Sequence, residues 1–473
     1  MQVAPLASAS STAYEGELRV RYVWMIALVA AMGGLLFGYD WVVIGGAKPF
    51  YESYFHLNSA AQVGWANSCA LVGCFVGSLM AGRMSDSLGR KKVLLFSALL
   101  FAVSSVLTGW SSSFATFITW RIVGGGAIGL ASNVSPMYIA EISPAAWRGR
   151  LVSLNQLALV IGILAAQIAN WRIAEKMPEH ISQTMFAASW NAQFGWRWMF
   201  TAVTIPSIIF LAAIPLIPES PRWLVARGKP EAARRILERI GGIAYSEHEL
   251  QAVTESLSVS TGKHDWRAFR SPRILKLVLI GVGLAVLQQA SGINILFNYA
   301  EEVYRSAGYG VNDILFNIVV TGTINLIFTI IAMLLVDRFG RRRLMLLGCL
   351  GVGLSHVAAS FAYRQGLHGT WVLVLTLCAI ACYAMSLAPV TWVLITEIFP
   401  NRVRARAVSI SVAVLWIACF ALTYTFPLLN SAYGTAGTFL IYGLICFLGA
   451  FFVFFLVPET KGKSLEQIED EQA

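Results

Sequence analysis

Long apolar runs, each of roughly the 20 residues that a helix needs to cross the hydrocarbon core of a bilayer, alternate with short polar segments along the chain. Twelve runs reach that length, six before and six after a polar stretch at 218–273. Their approximate bounds are 23–47, 62–82, 93–111, 114–140, 151–171, 197–217, 274–304, 314–336, 344–363, 371–396, 407–430 and 436–457. The pattern predicts an all-α membrane protein with twelve transmembrane helices in two six-helix halves.

The polar stretch between the two sets of runs has a pattern of its own. Ala, Ile, Leu and Val recur at helical spacing over Lys229–Ile240 and again over Ser246–Leu257. The spacing predicts short amphipathic helices under the membrane domain, with a solvated linker as the alternative. The expected domains are an N-terminal tail (1–22), a six-helix bundle (23–217), an intracellular helical linker (218–273), a second six-helix bundle (274–457) and a C-terminal tail (458–473).

The basic residues set the orientation. If the N-terminus is cytoplasmic, 28 of the 35 lysines and arginines lie in cytoplasmic segments, as the positive-inside rule requires. Arg121 lies within a span, and six basic residues lie outside: Lys48, Arg172, Lys176, Arg197, Arg305 and Arg364. We therefore expect both termini in the cytoplasm. The net charge of +10 is divided among loops that spans separate, so it does not form a nucleic-acid surface.

Charged signatures at the ends of apolar runs occur twice, in the same order in each half. The repeats are Asp86-Ser-Leu-Gly-Arg-Lys-Lys92 and Asp337-Arg-Phe-Gly-Arg-Arg-Arg343, Glu141 with Arg148 and Glu397 with Arg404, and Pro218-Glu219 and Pro458-Glu459. Repeated sets of hydrophobic helices around a central pathway are typical of secondary transporters. The sequence has no Walker loop, HExxH or nucleophile-elbow motif, so we expect no enzyme and no cofactor. Cys378 and Cys382 share a helix face as packing residues rather than metal ligands.

The chain resembles the sugar porter family of the major facilitator superfamily over nearly its full length. The matching segments are Gly34–Asp40, Gly82–Lys92, Arg121 with Gly124 and Gly125, Pro218–Arg222, Gln288–Asn294, Val336–Arg342 and Pro458–Lys463. The resemblance is greatest to bacterial xylose and hexose proton symporters, and animal glucose facilitators are more distant. It implies import of a pentose or hexose through alternating access, by a protein that we expect to act as a monomer in the inner cell membrane.

Amides within the apolar runs are the predicted sugar ligands, because they donate and accept hydrogen bonds without charge, as a polyol requires. Gly292 is expected to loosen span seven, and Pro389 to break span ten. Helix–helix hydrogen bonding is the alternative role. The candidate residues, with two tryptophans for the C–H face of the sugar, are Gln156, Gln288, Gln289, Asn294, Asn298, Asn325, Trp392 and Trp416. Leu415, Asn298 and Ala388 depart from the xylose-symporter pattern, so the sugar is left open.

Two ionisable residues lie well inside spans, and the resemblance favours them for proton coupling. Asp40 is the expected proton carrier and Arg121 its partner; a structural ion pair is the alternative. The xylose symporters have a second acidic residue in span six, where this chain has Val203. Facilitated uniport is therefore the alternative to symport. A transporter-like sugar receptor is a further alternative, which the short tail after Pro458 disfavours.

The repeated charges resemble the cytoplasmic latch of the family, closed when the cavity faces outward. Topological anchoring by positive charge is the alternative, but it does not explain the matched glutamates. The predicted gating residues are Asp86, Arg90, Glu141, Arg148, Glu219, Asp337, Arg341, Glu397, Arg404 and Glu459.

Overall fold

A computed structural model describes residues 18–178, 182–260, 269, 271–367, 369–400 and 403–460, without the side chains of 258–260, 336–338 and 405. Helices dominate this part of the chain, and no strand occurs in it, which confirms the all-α prediction. Most of the predicted N-terminal tail (1–22) and most of the predicted C-terminal tail (458–473) lie outside the described residues.

The first six spans lie at the predicted apolar runs, and most of their helices extend beyond the predicted bounds. Two linker helices follow these spans. Their bounds are α1 Val20–Phe55, α2 Ala60–Leu88, α3 Arg90–Gly109, α4 Phe114–Ile142, α5 Arg148–Ile173, α6 Gln183–Ala188, α7 Trp196–Thr201, α8 Thr204–Ala213, α9 Pro221–Ala226 and α10 Pro230–Ser260. Span six consists of α7 and α8 with a π-helical turn at Asn191–Gly195 before them.

The second half repeats the arrangement. Its helices are α11 Pro272–Ala290, α12 Ile293–Asn298, α13 Ala300–Ser306, α14 Val311–Phe339, α15 Arg341–Arg364, α16 Thr370–Met385, α17 Leu387–Glu397 and α18 Arg404–Leu456. Spans eleven and twelve are the two parts of α18, since Gly434 has non-helical backbone angles (φ 67°, ψ 172°). The twelve predicted spans are thus present, in two halves of six.

Large apolar side chains cover the outside of the helical bundle. Leu216, Leu334, Leu448 and Phe455 are each between 68% and 71% exposed. Surfaces of this kind are covered by another molecule in soluble proteins, and here they lie on helices long and apolar enough to span a membrane. The exposed apolar surface is the lipid-facing side of a multi-pass membrane protein.

Two spans break beside the interior. Span seven is interrupted between α11 and α12, where Gly292 has φ +80°, at the predicted position. Span ten is interrupted at Ser386, which has φ −134° and ψ −85°. Pro389 accounts for this break, because its ring would clash with the carbonyl group of Met385 in a continuous helix; span ten restarts as α17 with Pro389 in its first turn, where a missing backbone N–H costs no helical hydrogen bond.

The segment between the halves is helical, as expected. Ser220 caps α9 by accepting the Trp223 N–H, and Pro221 occupies the first helical position. Within α10 the backbone leaves the helical region at Gly241 and Gly242, which separates the two predicted amphipathic helices. The N–H of Arg19, just before α1, donates to the Ile240 carbonyl oxygen at 2.8 Å. The linker therefore lies at the end of the molecule where α1 begins.

Close helix packing brings the first-half spans together. α1 packs on α5, and a Cβ at Gly38 would lie 1.9 Å from the Leu159 carbonyl oxygen. A Cβ at Gly162 would lie 2.0 Å from the Leu35 carbonyl oxygen, so both helices need glycine at this crossing. The halves meet where α2 packs on α18 and α5 packs on α14, and this interface holds the candidate site.

Candidate functional site

A chain of buried amides crosses the break in span seven. The Asn294 side-chain nitrogen donates to Oε1 of Gln289, and Gln289 Nε2 donates to Oε1 of Gln288 at 3.3 Å. Gln288 Nε2 in turn lies 3.3 Å from the Leu387 carbonyl oxygen, beside the break in span ten. All three amide side chains are at most 9% exposed. The structure thus brings together three of the four predicted span-seven ligands and joins the two broken spans.

Residues of spans nine and twelve hold this break. The Ser291 carbonyl oxygen, which the interrupted helix leaves free, accepts a hydrogen bond from His356 Nε2 at 2.9 Å. A Cβ at Gly292 would lie 2.7 Å from the Tyr442 ring, and its positive φ also requires glycine. The backbone at the break is therefore fixed by its neighbours, which sets where the adjacent amides lie.

Aromatic rings form one wall of the site. Trp416 of span eleven is buried, and its ring centroid lies 5.9 Å from that of Phe37 and 6.3 Å from that of Trp41 in α1. Its Nε1–H has no hydrogen-bond partner among the described residues. Trp392 lies on α17 and is 36% exposed. Both halves thus contribute to an apolar wall that matches the C–H face of a ring-shaped ligand.

Further amides at this interface lack partners. Gln167 of α5 is 1% exposed, and neither of its amide atoms has a hydrogen-bond partner in the described part of the chain. The same holds for Oδ1 of the buried Asn298. Gln167 lies against Gly322 of α14, one turn before the buried Asn325. Buried amides without partners are costly, so this group suits a ligand with many hydroxyls.

Gln156 is the predicted ligand in span five, and Gln167 of the same span is not among the predictions. Both lie on α5, but Gln156 is only half-buried and lies eleven positions earlier, roughly 16 Å along the helix at 1.5 Å per residue. The signal for Gln167 was the same as for the other candidates, an amide within an apolar run. The sequence alone did not show which of the two lies against span eight.

Asp40 and Arg121 form an ion pair inside the first half. Nη1 of Arg121 lies 3.1 Å from both carboxylate oxygens of Asp40, and each residue is 3% exposed. The guanidinium carbon also lies 5.4 Å from the centroid of the Phe200 ring in α7. Val203, in the next turn of span six, is fully buried. The structure therefore pairs the two predicted coupling residues at a desolvated position, with an apolar residue where a second acid was considered.

The repeated charges of the first half form one network at the end of the bundle where the linker helix α9 lies. Arg90 donates through Nε and Nη2 to the two oxygens of Glu141, both at 2.9 Å. Glu219 Oε1 accepts the backbone N–H groups of Arg90 at 2.9 Å and Lys91 at 3.2 Å. Ser220 donates to Glu141 as well. The carboxylate of Glu219 thus stabilises the N-terminus of α3, where the helix dipole favours an anion.

The second half reproduces this network. Oε1 and Oε2 of Glu459 accept the backbone N–H groups of Arg341 at 2.9 Å and Arg342 at 3.2 Å, at the N-terminus of α15. Nη2 of Arg341 lies 3.4 Å from Glu397 Oε1, and the Thr460 hydroxyl donates to Glu397 Oε2 at 2.6 Å. Each of these contacts joins residues of the same half.

The remaining predicted gating residues differ in their surroundings. Asp86 is exposed and lies 3.2 Å from Arg90 Nη1. Arg148 is exposed, and Arg404 Nε donates to the Phe399 carbonyl oxygen at 3.0 Å. The side chain of Asp337 lies outside the described residues. Arg90 and Glu141, with Arg341 and Glu397, are therefore the matched pairs that the structure brings into contact.

A family model described as sugar (and other) transporter matches residues 26–471. The chain belongs to the sugar transporter family. It is 37% identical to the D-xylose-proton symporter of Escherichia coli strain K12, over 95% of each chain. It is also 38% identical to a glucose transport protein of Synechocystis, over 97% of this chain and 99% of that protein.

A solved structure has the same fold as this transporter. The inward-open conformation of the xylose transporter XylE from E. coli matches with a TM-score of 0.83 and 36% identity, over 95% of this chain and 100% of that one. The major facilitator architecture expected from the sequence is therefore confirmed. Of the three positions that depart from the xylose-symporter pattern, Leu415 and Asn298 are buried and Ala388 is half-buried.

Proposed function

We propose that this sugar transporter imports a monosaccharide together with protons by alternating access. The observation that carries the proposal is the group of buried amides around the break in span seven, several of them without partners, beside the aromatic wall of Trp416. Sugar hydroxyls would satisfy these amides, while the ring faces of Trp416 and Trp392 would cover the C–H groups of a pyranose. The names of the related symporters and of the glucose transport protein support a pentose or hexose.

The proposed sugar site is built from both halves. Gln288, Gln289, Asn294 and Trp416 would bind the sugar from the second half, and Gln167 from the first. Gln156 of span five, with Asn298 and Asn325, would complete the site; Gln156 lies one turn from Leu159, which packs on Gly38 beside Phe37 and Trp416. Because one chain supplies every part of the site, the protein is expected to act as a monomer.

Asp40 would carry the proton, and Arg121 would set its proton affinity. A nearby cation favours the ionised carboxylate, and burial disfavours it. If the contact between the two side chains lengthens in one state, proton affinity differs between the states, and that difference couples the proton to the sugar. Val203 favours the second candidate function, facilitated uniport, because span six then supplies no additional carboxylate.

The orientation proposed is that of an inner-membrane protein with both termini in the cytoplasm, since basic residues concentrate in the segments on that side. The six-helix units 23–217 and 274–457 would move relative to each other around the sugar, with 218–273 beneath them. The repeated pairs Arg90–Glu141 and Arg341–Glu397 would contribute to closing the cytoplasmic side.

Transport into proteoliposomes tests the function. A panel of labelled pentoses and hexoses would be offered with and without an inward proton gradient. Symport predicts that at least one sugar accumulates above its outside concentration only with the gradient. Equilibration without accumulation would support uniport, and saturable binding without any uptake would support the receptor alternative.

A further inference from the structure

A buried lysine joins the two halves at the membrane side opposite the repeated charges. Lys48 is 1% exposed, and its Nζ lies 2.7 Å from Glu302 Oε1, 3.1 Å from Glu52 and 3.6 Å from Glu301. Arg305 pairs with Glu301 at the edge of the group. The sequence analysis had ended span one at 47 and left Lys48 in an outer loop. Helix α1 instead continues to Phe55 and buries Lys48. The carboxylates of Glu52, Glu301 and Glu302 neutralise its ammonium group, which makes this burial possible.

The location of this group follows from the course of α1. The helix begins at Val20, beside the intracellular linker, and Lys48 comes 28 positions later, which is roughly 42 Å along the axis at 1.5 Å per residue. Lys48 therefore lies at the outer side of the membrane. Glu301 and Glu302 belong to α13, at the outer end of span seven in the second half.

Two further contacts close the same side. The Asn312 side chain of α14 donates to the Met177 carbonyl oxygen at 2.8 Å and accepts its N–H at 3.1 Å, so it joins the second half to the loop after α5. A Cβ at Gly45 would lie 2.3 Å from the Phe297 carbonyl oxygen, so α1 and α12 are in direct contact. The outer ends of the halves are thus held together by polar contacts and tight packing.

We propose that Lys48 is a gating residue of the transport cycle, and that its ion pairs with Glu302 and Glu301 are an outer latch formed only when the outer side is closed. The inference rests on the alternating access proposed above. Opening the outer side would separate α1 from α13. The charges of Lys48, Glu52, Glu301 and Glu302 would then be exposed to water. Contacts present in one state only shift the equilibrium between states by their own free energy.

Removing one partner of a buried ion pair is more disruptive than replacing both, because the remaining charge stays buried without compensation. In Lys48→Met, the carboxylates of Glu52, Glu301 and Glu302 would face one another in the closed state with only Arg305 nearby. Water reaches them if the outer side opens. The variant is therefore expected to favour the outward-open state.

The test measures access from outside. Val42 is buried on α1 and packs with Phe297 across the interface. A Val42→Cys reporter in a Cys378→Ser background is labelled in intact cells with a membrane-impermeant maleimide, without sugar. Lys48→Met should raise the labelling rate about tenfold, equivalent to about 1.4 kcal/mol. The exchanged pair Lys48→Glu with Glu302→Lys should return the rate toward the wild-type value.

Arg197 offers a matched control. It is a buried cation on the outer side, but it donates to the Gly109 and Ser111 carbonyl oxygens within the first half. Arg197→Met should leave labelling unchanged. An equal increase in this control, or no increase in Lys48→Met, would overturn the latch. If Lys48→Met does not reach the membrane, Glu302→Gln replaces it, with a smaller increase expected and no increase contradicting the proposal.

Sugar uptake by the reporter protein is measured in parallel. Opening of the outer side in Lys48→Met without any sugar uptake by the parent would retain the latch and reject the transport function. Sugar uptake by the parent with unchanged labelling in Lys48→Met would support the transport function and reject the latch.

Discussion

The ion pairs at the two sides of the membrane differ in what they join. At the side proposed to be cytoplasmic, the pair occurs once in each half, as Arg90–Glu141 and as Arg341–Glu397, because the halves are repeats. At the opposite side, Lys48–Glu302 joins the two halves, and the described residues show no second copy of it. A repeated signature therefore shows how each half is built, whereas a contact that depends on how the halves meet has no reason to repeat.

Contacts within a half and contacts between halves contribute to two different free energies, that of unfolding a half and that of the change between transport states. A contact within a half contributes to the stability of that half in every state in which the half keeps its shape. A contact between halves contributes only where they touch, so it alters the balance of states. Stability measurements should respond most to the first kind and accessibility measurements to the second.

The largest expected effect concerns the stability of a half. Arg90→Met removes both hydrogen bonds to the largely buried Glu141 and should cost about 3–5 kcal/mol. The matched Arg341→Met should cost less, about 1 kcal/mol, because the contact between Arg341 and Glu397 is longer and Glu397 is more exposed than Glu141. Thermal unfolding of the purified protein in detergent measures both. Equal losses would contradict the ranking of the two halves.

Sugar binding should respond to the span-seven amides. Gln289→Ala leaves Asn294 without its acceptor and removes a proposed ligand, so binding should weaken by about 1–3 kcal/mol while the fold is kept. Isothermal calorimetry with the best transported sugar measures the change. The matched control is Gln251→Ala on the exposed side of α10, with no effect expected. Unchanged binding in Gln289→Ala would leave the amides as packing residues.

A smaller effect is expected at the cytoplasmic side. Glu397→Arg replaces attraction to Arg341 by repulsion and removes the acceptor of Thr460. If the repeated pairs help to close that side, cysteines introduced along spans four and ten should be labelled a few times faster from the cytoplasm. No change would restrict these pairs to holding each half together, and would sharpen the contrast with Lys48.

Much of this architecture was predictable from local sequence. Apolar length gave the twelve spans, basic residues gave an expected orientation, and Gly292 marked the break in span seven. Pro389 marked the break in span ten, which lies three residues before it at Ser386, because a proline ring clashes with the carbonyl group four residues earlier. Gln167 was missed because only the packing of α5 on α14 distinguishes it from other amides.

The outer latch lay furthest from what the sequence indicates. Lys48 and Glu302 are 254 positions apart, and a lysine at the end of an apolar run indicates a helix end. Lys48 instead lies buried within α1, because the carboxylates of Glu301 and Glu302 from the other half compensate its charge. No local pattern carries that information.

An inward proton gradient is proposed to drive sugar uptake by proton binding and release at Asp40. The variant Asp40→Asn in proteoliposomes tests this coupling most directly. Asparagine keeps the size of the side chain and a hydrogen-bond acceptor for Arg121 but does not exchange a proton with water. The account predicts that sugar accumulation driven by an inward proton gradient is lost, while exchange of labelled sugar at equilibrium is largely retained. Gradient-driven accumulation at the wild-type level in Asp40→Asn, or none in the wild type, would contradict it.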